Sequence, residues 1–308
     1  MNSSPKQYDV IIIGGGPAGL SAGLYTARAR LKTVLIERAA VGGQIINTMW
    51  VENYPGFVDS ISGIDLTQAM HRQAEKFGME TVYADVSALA ADGRTKTVTT
   101  SDGVYAAPAV IITGGSERQK LGVPGEAEYT GRGVSYCATC DGAFFTDKEV
   151  AVVGGGNAAL TEALELTKFA SRVYIIHRRD QLRATAVLQE KARANEKIEF
   201  LLSSTVDEIV GETFVTGLKM NNVKTGAKFD VPVAGVFMAV GFLPNTGYLK
   251  DIVALDELGT IVVDLEMATS VPGIFAAGDI RSKSIRQVIA AAGDGAIAAI
   301  SAEKYVLA

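Results

Sequence analysis

Tyr8-Asp-Val-Ile-Ile-Ile-Gly14-Gly-Gly16-Pro17-Ala18-Gly19 is an apolar β-type run that breaks into a glycine turn. Helical spacing follows through Leu20, Leu24 and Ala27, and a second apolar run, Thr33-Val-Leu-Ile-Glu37, closes the unit. The same succession returns 140 residues later. Glu149-Val-Ala-Val-Val-Gly154-Gly-Gly156-Asn157-Ala158-Ala159 leads into helical spacing at Leu160, Ala163, Leu164 and Thr167, then into Arg172-Val-Tyr-Ile-Ile-His177. In both copies the second run ends 23 residues after the first glycine. Each copy has the length and periodicity of a βαβ unit.

The glycine spacing has a physical purpose. In Gly14-x-Gly16-x-x-Gly19 the first glycine permits the tight turn and the second lets backbone approach a pyrophosphate. The third lets helix and strand pack closely, and the helix N-terminus offers N–H donors to phosphate. Glu37 at the end of the second run suits a ribose diol. The second fingerprint has alanine at its third position, and its strand ends in His177 followed by Arg178, Arg179 and Arg183. A carboxylate there would repel a 2′-phosphate, whereas guanidinium groups donate to it. The first unit therefore suits a nucleotide with a free diol and the second suits NADP(H). The competing reading of the three arginines is a solvated basic turn, and His177 reads equally as a packed or capping residue.

Cys137-Ala-Thr-Cys140-Asp141 holds the only two cysteines of the chain. Their spacing closes a small disulfide ring and supports thiol–disulfide exchange. With His71 and His177 as the only histidines, the chain lacks the second ligand pair of a structural zinc site, and no metal is expected. Asp141 reads either as a group that moves a proton or as a helix cap. A nicotinamide does not pass a hydride readily to a disulfide without a mediator such as an isoalloxazine. Two nucleotide units and one dithiol thus point to FAD, NADPH and a disulfide on one electron path.

Composition sets the outer limits. The 308 residues suggest about two domains, and 48% apolar content supplies a full core. A net charge of −5 argues against nucleic acid or an anionic membrane as main partner. The segment Met1–Asp9 is short and polar, and Val10–Ile13 is too short for a signal-peptide core. The longest uncharged apolar stretch, Val231–Pro244, has 14 residues, below the ~18 of a membrane span. A soluble, cytoplasmic protein is expected. Further β runs are read at Thr95–Thr99, Ala109–Thr113, Phe229–Val233 and Ile261–Val263, and an alanine-rich helix from Ser284 to Val306.

Four motifs together make the chain resemble the low-molecular-weight, NADPH-dependent thioredoxin reductases of bacteria and archaea. They are Gly14–Gly19, Cys137–Asp141, Gly154–Ala159 with His177–Arg183, and Gly273-Ile-Phe-Ala-Ala-Gly278-Asp279 with Arg286-Gln287. They span essentially the whole chain. Where the family more usually has Ala-Thr-Gly, this sequence has Ile112-Thr-Gly114-Gly-Ser116. The resemblance implies an α/β fold of two Rossmann-like domains of the three-layer ββα type. The NADPH domain, 118–246, carries the dithiol and is inserted into a discontinuous FAD domain, 1–117 and 247–308. It implies that Gly42, Gln44 and Asn53 approach the flavin and its phosphates. Arg38, Val86 and Gly114 are carried with them as FAD residues. Glu37 would hold the adenosine ribose, Asp279 the ribityl–phosphate region, and Arg286, Gln287 and Val288 would lie at the isoalloxazine. Cys140 would lie beside the flavin, Cys137 would exchange with thioredoxin, and Asp141 would be the acid/base. A homodimer is expected, as is rotation of the inserted domain about junctions near Glu117–Gly125 and Pro244–Asp251. The alternatives are a reductase serving another small redox protein and, in a different class, a nucleotide-binding sensor without turnover.

Overall fold

A computed structural model describes residues 4–48, 50–249 and 251–308. The first three residues of the polar start, and Lys250 in the second expected junction, lie outside the described residues. The α-helices in chain order are α1 (Pro17–Arg28), α2 (Gly63–Glu75), α3 (Ala138–Asp141), α4 (Asn157–Leu166), α5 (Ala186–Arg193) and α6 (Val288–Leu307). The chain divides into two compact units, one of residues 1–117 and 243–308, the other of 118–242. The return to the first unit at Leu243 compares with 247 in the sequence reading.

The first unit is built on a five-stranded parallel sheet in the order Ile274–Ala276, Ala109–Ile112, Val10–Ile13, Thr33–Glu37, Glu80–Tyr83. Val10–Ile13 and Ala109–Ile112 are apolar at every position because both faces are covered. Alternate side chains enter two different cores. Val10, Ile12, Leu35 and Ile111 pack with Leu20 and Ala22 of α1 and with Ala298, Ala299 and Ala302 of α6. Ile11, Ile13, Val34 and Ile112 pack with Leu89, Val98, Tyr105 and Ala107. Those last four belong to a second sheet of four strands, Lys6–Gln7, Gly103–Ala107, Thr95–Thr100 and Val86–Asp92. The layers are therefore helix, parallel sheet and a second, mainly antiparallel sheet.

The second unit repeats the plan. Its parallel sheet runs Val134–Ser135, Gly235–Met238, Glu149–Val153, Arg172–His177, Ile198–Leu202. Val150, Val152, Val173 and Ile175 face Leu160, Ala163 and Leu166 of α4. Ala151, Val153 and Ile176 face Val206, Ile209, Leu218 and Met220 of a three-stranded antiparallel sheet, Ser204–Gly211, Val215–Asn222 and Lys228–Val231. Two three-layer ββα units of Rossmann type result.

Two local expectations are corrected. Ile261–Val263 is not a strand: Ile261 makes only isolated bridges, to Leu255 and Arg281. Its N–H goes to Ile280 O and its carbonyl to Ser282 N, while Val262 N turns to Ala254 O, so no continuous ladder forms. The C-terminal helix begins at Val288 rather than Ser284, because Arg286 has φ +54° and Gln287 is extended. No helix among the described residues is long and apolar enough to cross a membrane.

Candidate functional site

In the first unit the glycine turn joins the strand Val10–Ile13 to α1. Gly14 has φ +107°, where a side chain is strained, and a Cβ there would lie 2.6 Å from Thr113 O and 2.7 Å from Gly114 Cα. A Cβ on Gly19 would lie 2.0 Å from Gly14 O, so the helix can close on the turn only with glycine. Thr113 Oγ1 donates toward the carbonyls of Ile13 and Gly14, at 2.9 and 2.7 Å. Pro17 takes the first helical position, where no N–H is needed. Ala18 is buried behind it.

Of the other candidates of this unit, Glu37, Gly42, Gly114 and Gly278 lie against the turn or the start of α1. Glu37 Oε2 accepts from Gly15 N at 2.7 Å and Oε1 from Ala39 N at 3.0 Å, so the carboxylate is anchored beside the turn. Arg38 pairs with Glu117. Gly42 donates to Gly15 O at 2.8 Å, and Gln44 is exposed on the 3-10 helix Gly43–Asn47 that follows. Asn245 Nδ2 donates to Gly114 O at 2.8 Å. Val86 opens its strand, half-buried, with its side chain against the second core. From the C-terminal segment, Gly278 packs on Ala18, to which a Cβ would come within 2.9 Å. The Asp279 carbonyl accepts from Ser116 Oγ at 2.7 Å, and its Oδ1 accepts from Ser284 Oγ at 3.1 Å. Asn53 Nδ2 donates to Gln287 Oε1 at 3.1 Å across 234 residues of chain, just ahead of Val288, the first residue of α6. Arg286 N is held by Ser284 Oγ at 3.2 Å.

The local motifs do not reveal Arg281 and Asp294. Arg281 Nε and Nη2 donate to the two oxygens of Asp294 at 2.6 and 2.9 Å, and Gly278 N reaches Oδ2 at 3.1 Å. Both side chains are largely buried, 17% and 8% exposed. The bidentate pair therefore ties α6 to the Gly278–Asp279 turn. Asp294→Asn leaves the guanidinium without its anion and is expected to cost about 3 kcal/mol. Urea unfolding at neutral pH reads this as a lower midpoint with unchanged m value.

In the second unit Gly154 also has a positive φ, +157°, and a Cβ on it would lie 2.5 Å from Ala239 O. Ala159 at the third fingerprint position is fully buried, and its Cβ would come within 2.9 Å of one on Gly154. His177 lies beneath Gly155 as Glu37 lies beneath Gly15. It is buried, its Nε2 has no hydrogen-bond partner, and burial followed by the charge of Arg183 lowers its pKa. The arginine loop is fastened over the turn. Arg183 N and Ala184 N donate to Gly155 O at 2.7 and 3.2 Å, and Thr185 N donates to Asn157 Oδ1 at 2.8 Å. Arg178, Arg179 and Arg183 are exposed, as is Ala158.

The N-terminal ends of α1 and α4 have no side-chain cap, and neither first turn carries an acidic residue. A Cβ on Gly16 would meet nothing nearer than 4.0 Å, and one on Gly156 nothing within 4 Å. Open space over free N–H donors fits a dinucleotide pyrophosphate at each turn.

Cys137 and Cys140 form a disulfide, Cα atoms 5.3 Å apart, in the second unit. Cys137 caps α3: Cys140 N donates to its Sγ at 3.2 Å. Cys140 is exposed and Cys137 half-buried. The short helix packs on α4, where Thr139 Oγ1 donates to Glu165 Oε2 at 2.9 Å. The Asp141 side chain caps nothing: its Oδ2 accepts from Ser135 Oγ at 2.6 Å. Burial raises its pKa, opposed by the Ser135 hydrogen bond and by Arg118.

Paired three-layer nucleotide folds with a disulfide in one of them define a class. The family model for pyridine nucleotide-disulphide oxidoreductases matches residues 8–295, and the chain belongs to that family. Among its relatives there are thioredoxin reductases of bacteria. The thioredoxin reductase of Listeria monocytogenes is 52% identical over 307 residues, covering 99% of this chain and 96% of that one. The thioredoxin reductase of Bacillus subtilis is 50% identical over 305 residues, with coverage of 99% and 96%. The crystal structure of thioredoxin reductase from Streptococcus pyogenes superposes with a TM-score of 0.95 at 49% identity, covering 99% of both chains.

Proposed function

We propose that this chain is an NADPH-dependent thioredoxin-disulfide reductase carrying FAD. The observation that carries the reading is the Cys137–Cys140 disulfide, placed in the unit whose glycine turn is overlaid by the arginine loop. In this reading Gly14, Gly16 and Gly19 with Glu37 hold FAD in the first unit, with Gly42, Gly114, Gly278 and Asp279 around them. Gly154, Gly156 and Asn157 hold the NADPH pyrophosphate, and Arg178, Arg179 and Arg183 its 2′-phosphate. When bound, the flavin relays two electrons from the nicotinamide to the disulfide.

The chain's own groups perform the exchange. In the reduced dithiol Asp141 takes the proton of the Cys137 thiol, and the Cys137 thiolate attacks one sulfur of the thioredoxin disulfide. A mixed disulfide forms and one thioredoxin sulfur leaves and is protonated. Cys140 then attacks Cys137 Sγ, re-forming the bridge and releasing the second thioredoxin thiol. Two electrons and two protons pass to thioredoxin. The homodimer and the cytoplasm belong to the same proposal and rest on the family resemblance.

The test is optical. The purified protein is expected to be yellow, to lose its visible band on addition of NADPH and to recover it with oxidised thioredoxin. A colourless protein, or a band untouched by NADPH, removes the reading. A band that recovers with another small disulfide protein but not with thioredoxin moves it to a different carrier.

A further inference from the structure

We propose that Ser135 is a positioning residue of the dithiol reaction: its hydroxyl orients the Asp141 carboxylate at the Cys137–Cys140 bridge and favours its ionised form. The inference rests on the proposed dithiol chemistry and deepens it.

Ser135 ends the edge strand Val134–Ser135, two residues before the bridge, and is buried. A hydroxyl has one proton, and its nearest acceptor is Asp141 Oδ2 at 2.6 Å, the spacing of a charge-assisted O–H···O⁻ bond. Ser135 Oγ itself accepts from Cys137 N at 3.1 Å. Asp141 N in turn donates to Cys137 O at 3.1 Å. The carboxylate is thereby tied from two sides to the residue that bears one bridging sulfur. The charge-assisted bond to the carboxylate is stronger than the neutral bond the carboxylic acid could make to the same hydroxyl, so it lowers the carboxyl's proton affinity. The hydroxyl thus opposes burial, which acts the other way. Arg118 is the charged group that bears on Asp141. The charged side chains of α4, packed against α3, are Glu162 and Glu165, and Glu165 is engaged by Thr139. The 3-10 helix Gly142–Phe145 brings no charge.

The pair can be read through the reverse half of the exchange, with dithiothreitol opening the bridge. A dithiothreitol thiolate attacks one bridging sulfur, the S–S bond breaks, and the leaving sulfur takes its proton from Asp141. The second dithiothreitol sulfur then closes its own ring and frees the second cysteine as a thiol. Dithiothreitol loses two electrons and the bridge gains them.

The experiment uses the oxidised holoprotein, with the bridge-opening rate followed by alkylation and mass measurement across pH. Rates are corrected for the thiolate fraction of dithiothreitol. The corrected wild-type rate is expected to fall as Asp141 loses its proton. In Ser135→Ala that inflection moves to higher pH by about one unit or more, the size of a lost charge-assisted hydrogen bond. Ser135→Thr keeps a hydroxyl and is expected to keep the parental inflection. Asp141→Asn abolishes the inflection, and adding Ser135→Ala to it changes the rate less than about twofold, because the serine acts through the carboxylate. An inflection unmoved in Ser135→Ala overturns the proposal. So does a uniform slowing at all pH that persists in the Asp141→Asn background, which marks a purely structural role. Dithiothreitol needs neither thioredoxin nor a pyridine nucleotide. Failure here therefore leaves the thioredoxin reading in place, and failure of thioredoxin turnover leaves this measurement readable.

Discussion

Cys137→Ser is expected to lower thioredoxin reduction by roughly a thousandfold or more, since a serine hydroxyl does not ionise near neutral pH and cannot replace the thiolate nucleophile. Bleaching of the visible band by NADPH should survive, because it precedes thiol exchange. The backbone around the bridge favours negative charge on this sulfur, Cys140 N being aimed at Cys137 Sγ. The complementary variant, Cys140→Ser, lacks the resolving thiol and should accumulate a mixed disulfide between thioredoxin and Cys137. Mass mapping of the trapped peptide decides the assignment. An adduct found only on Cys140, in Cys137→Ser, exchanges the roles of the two sulfurs, and the greater exposure of Cys140 makes that mapping necessary.

The second large effect concerns coenzyme choice. Replacing Arg178 and Arg179 by Ala should weaken NADPH binding and leave NADH nearly untouched. Each charge-assisted contact to a 2′-phosphate is worth about 1.5–3 kcal/mol, so a loss of roughly tenfold or more per arginine is expected in kcat/KM for NADPH. Both side chains are exposed on a loop that Gly155 O and Asn157 Oδ1 fasten over the turn, so truncation should remove charge without disturbing the unit. Circular dichroism and unfolding midpoint should match the parent. Equal use of NADH and NADPH by the unsubstituted protein would mean that the arginines are only a solvated turn.

Much of the fold was legible because its signals are local. Val10–Ile13 and Glu149–Val153 are runs that only a doubly covered strand can bury, and the turns after them need glycine at positive φ. Where hydrogen bonding departs from a ladder the local signal misleads. Ile261–Val263 reads as a strand, yet its backbone partners lie on two separate segments, around Ala254 and around Ile280–Ser282, and form only isolated bridges. Alanine-rich spacing sets the start of α6 four residues too early because it says nothing of the positive φ at Arg286.

The candidate site divides along the same line. The two βαβ units, the carboxylate in one and the arginines in the other, and a dithiol whose three-residue spacing permits a bridge follow from the residue order alone. These are properties of neighbours along the chain, set by backbone sterics and period. Packing between distant segments sets Ile274–Ala276 in the sheet beside Ala109–Ile112, a pairing that residue spacing does not disclose and that only the family resemblance implies. Packing also decides that Arg281 and Asp294 clamp the Gly278 turn, and that the Asp141 carboxylate accepts from Ser135 instead of capping a helix. In these cases burial set the outcome. A polar group removed from water must find a partner wherever the packed elements bring one, and that partner is chosen by the fold rather than by the order of residues.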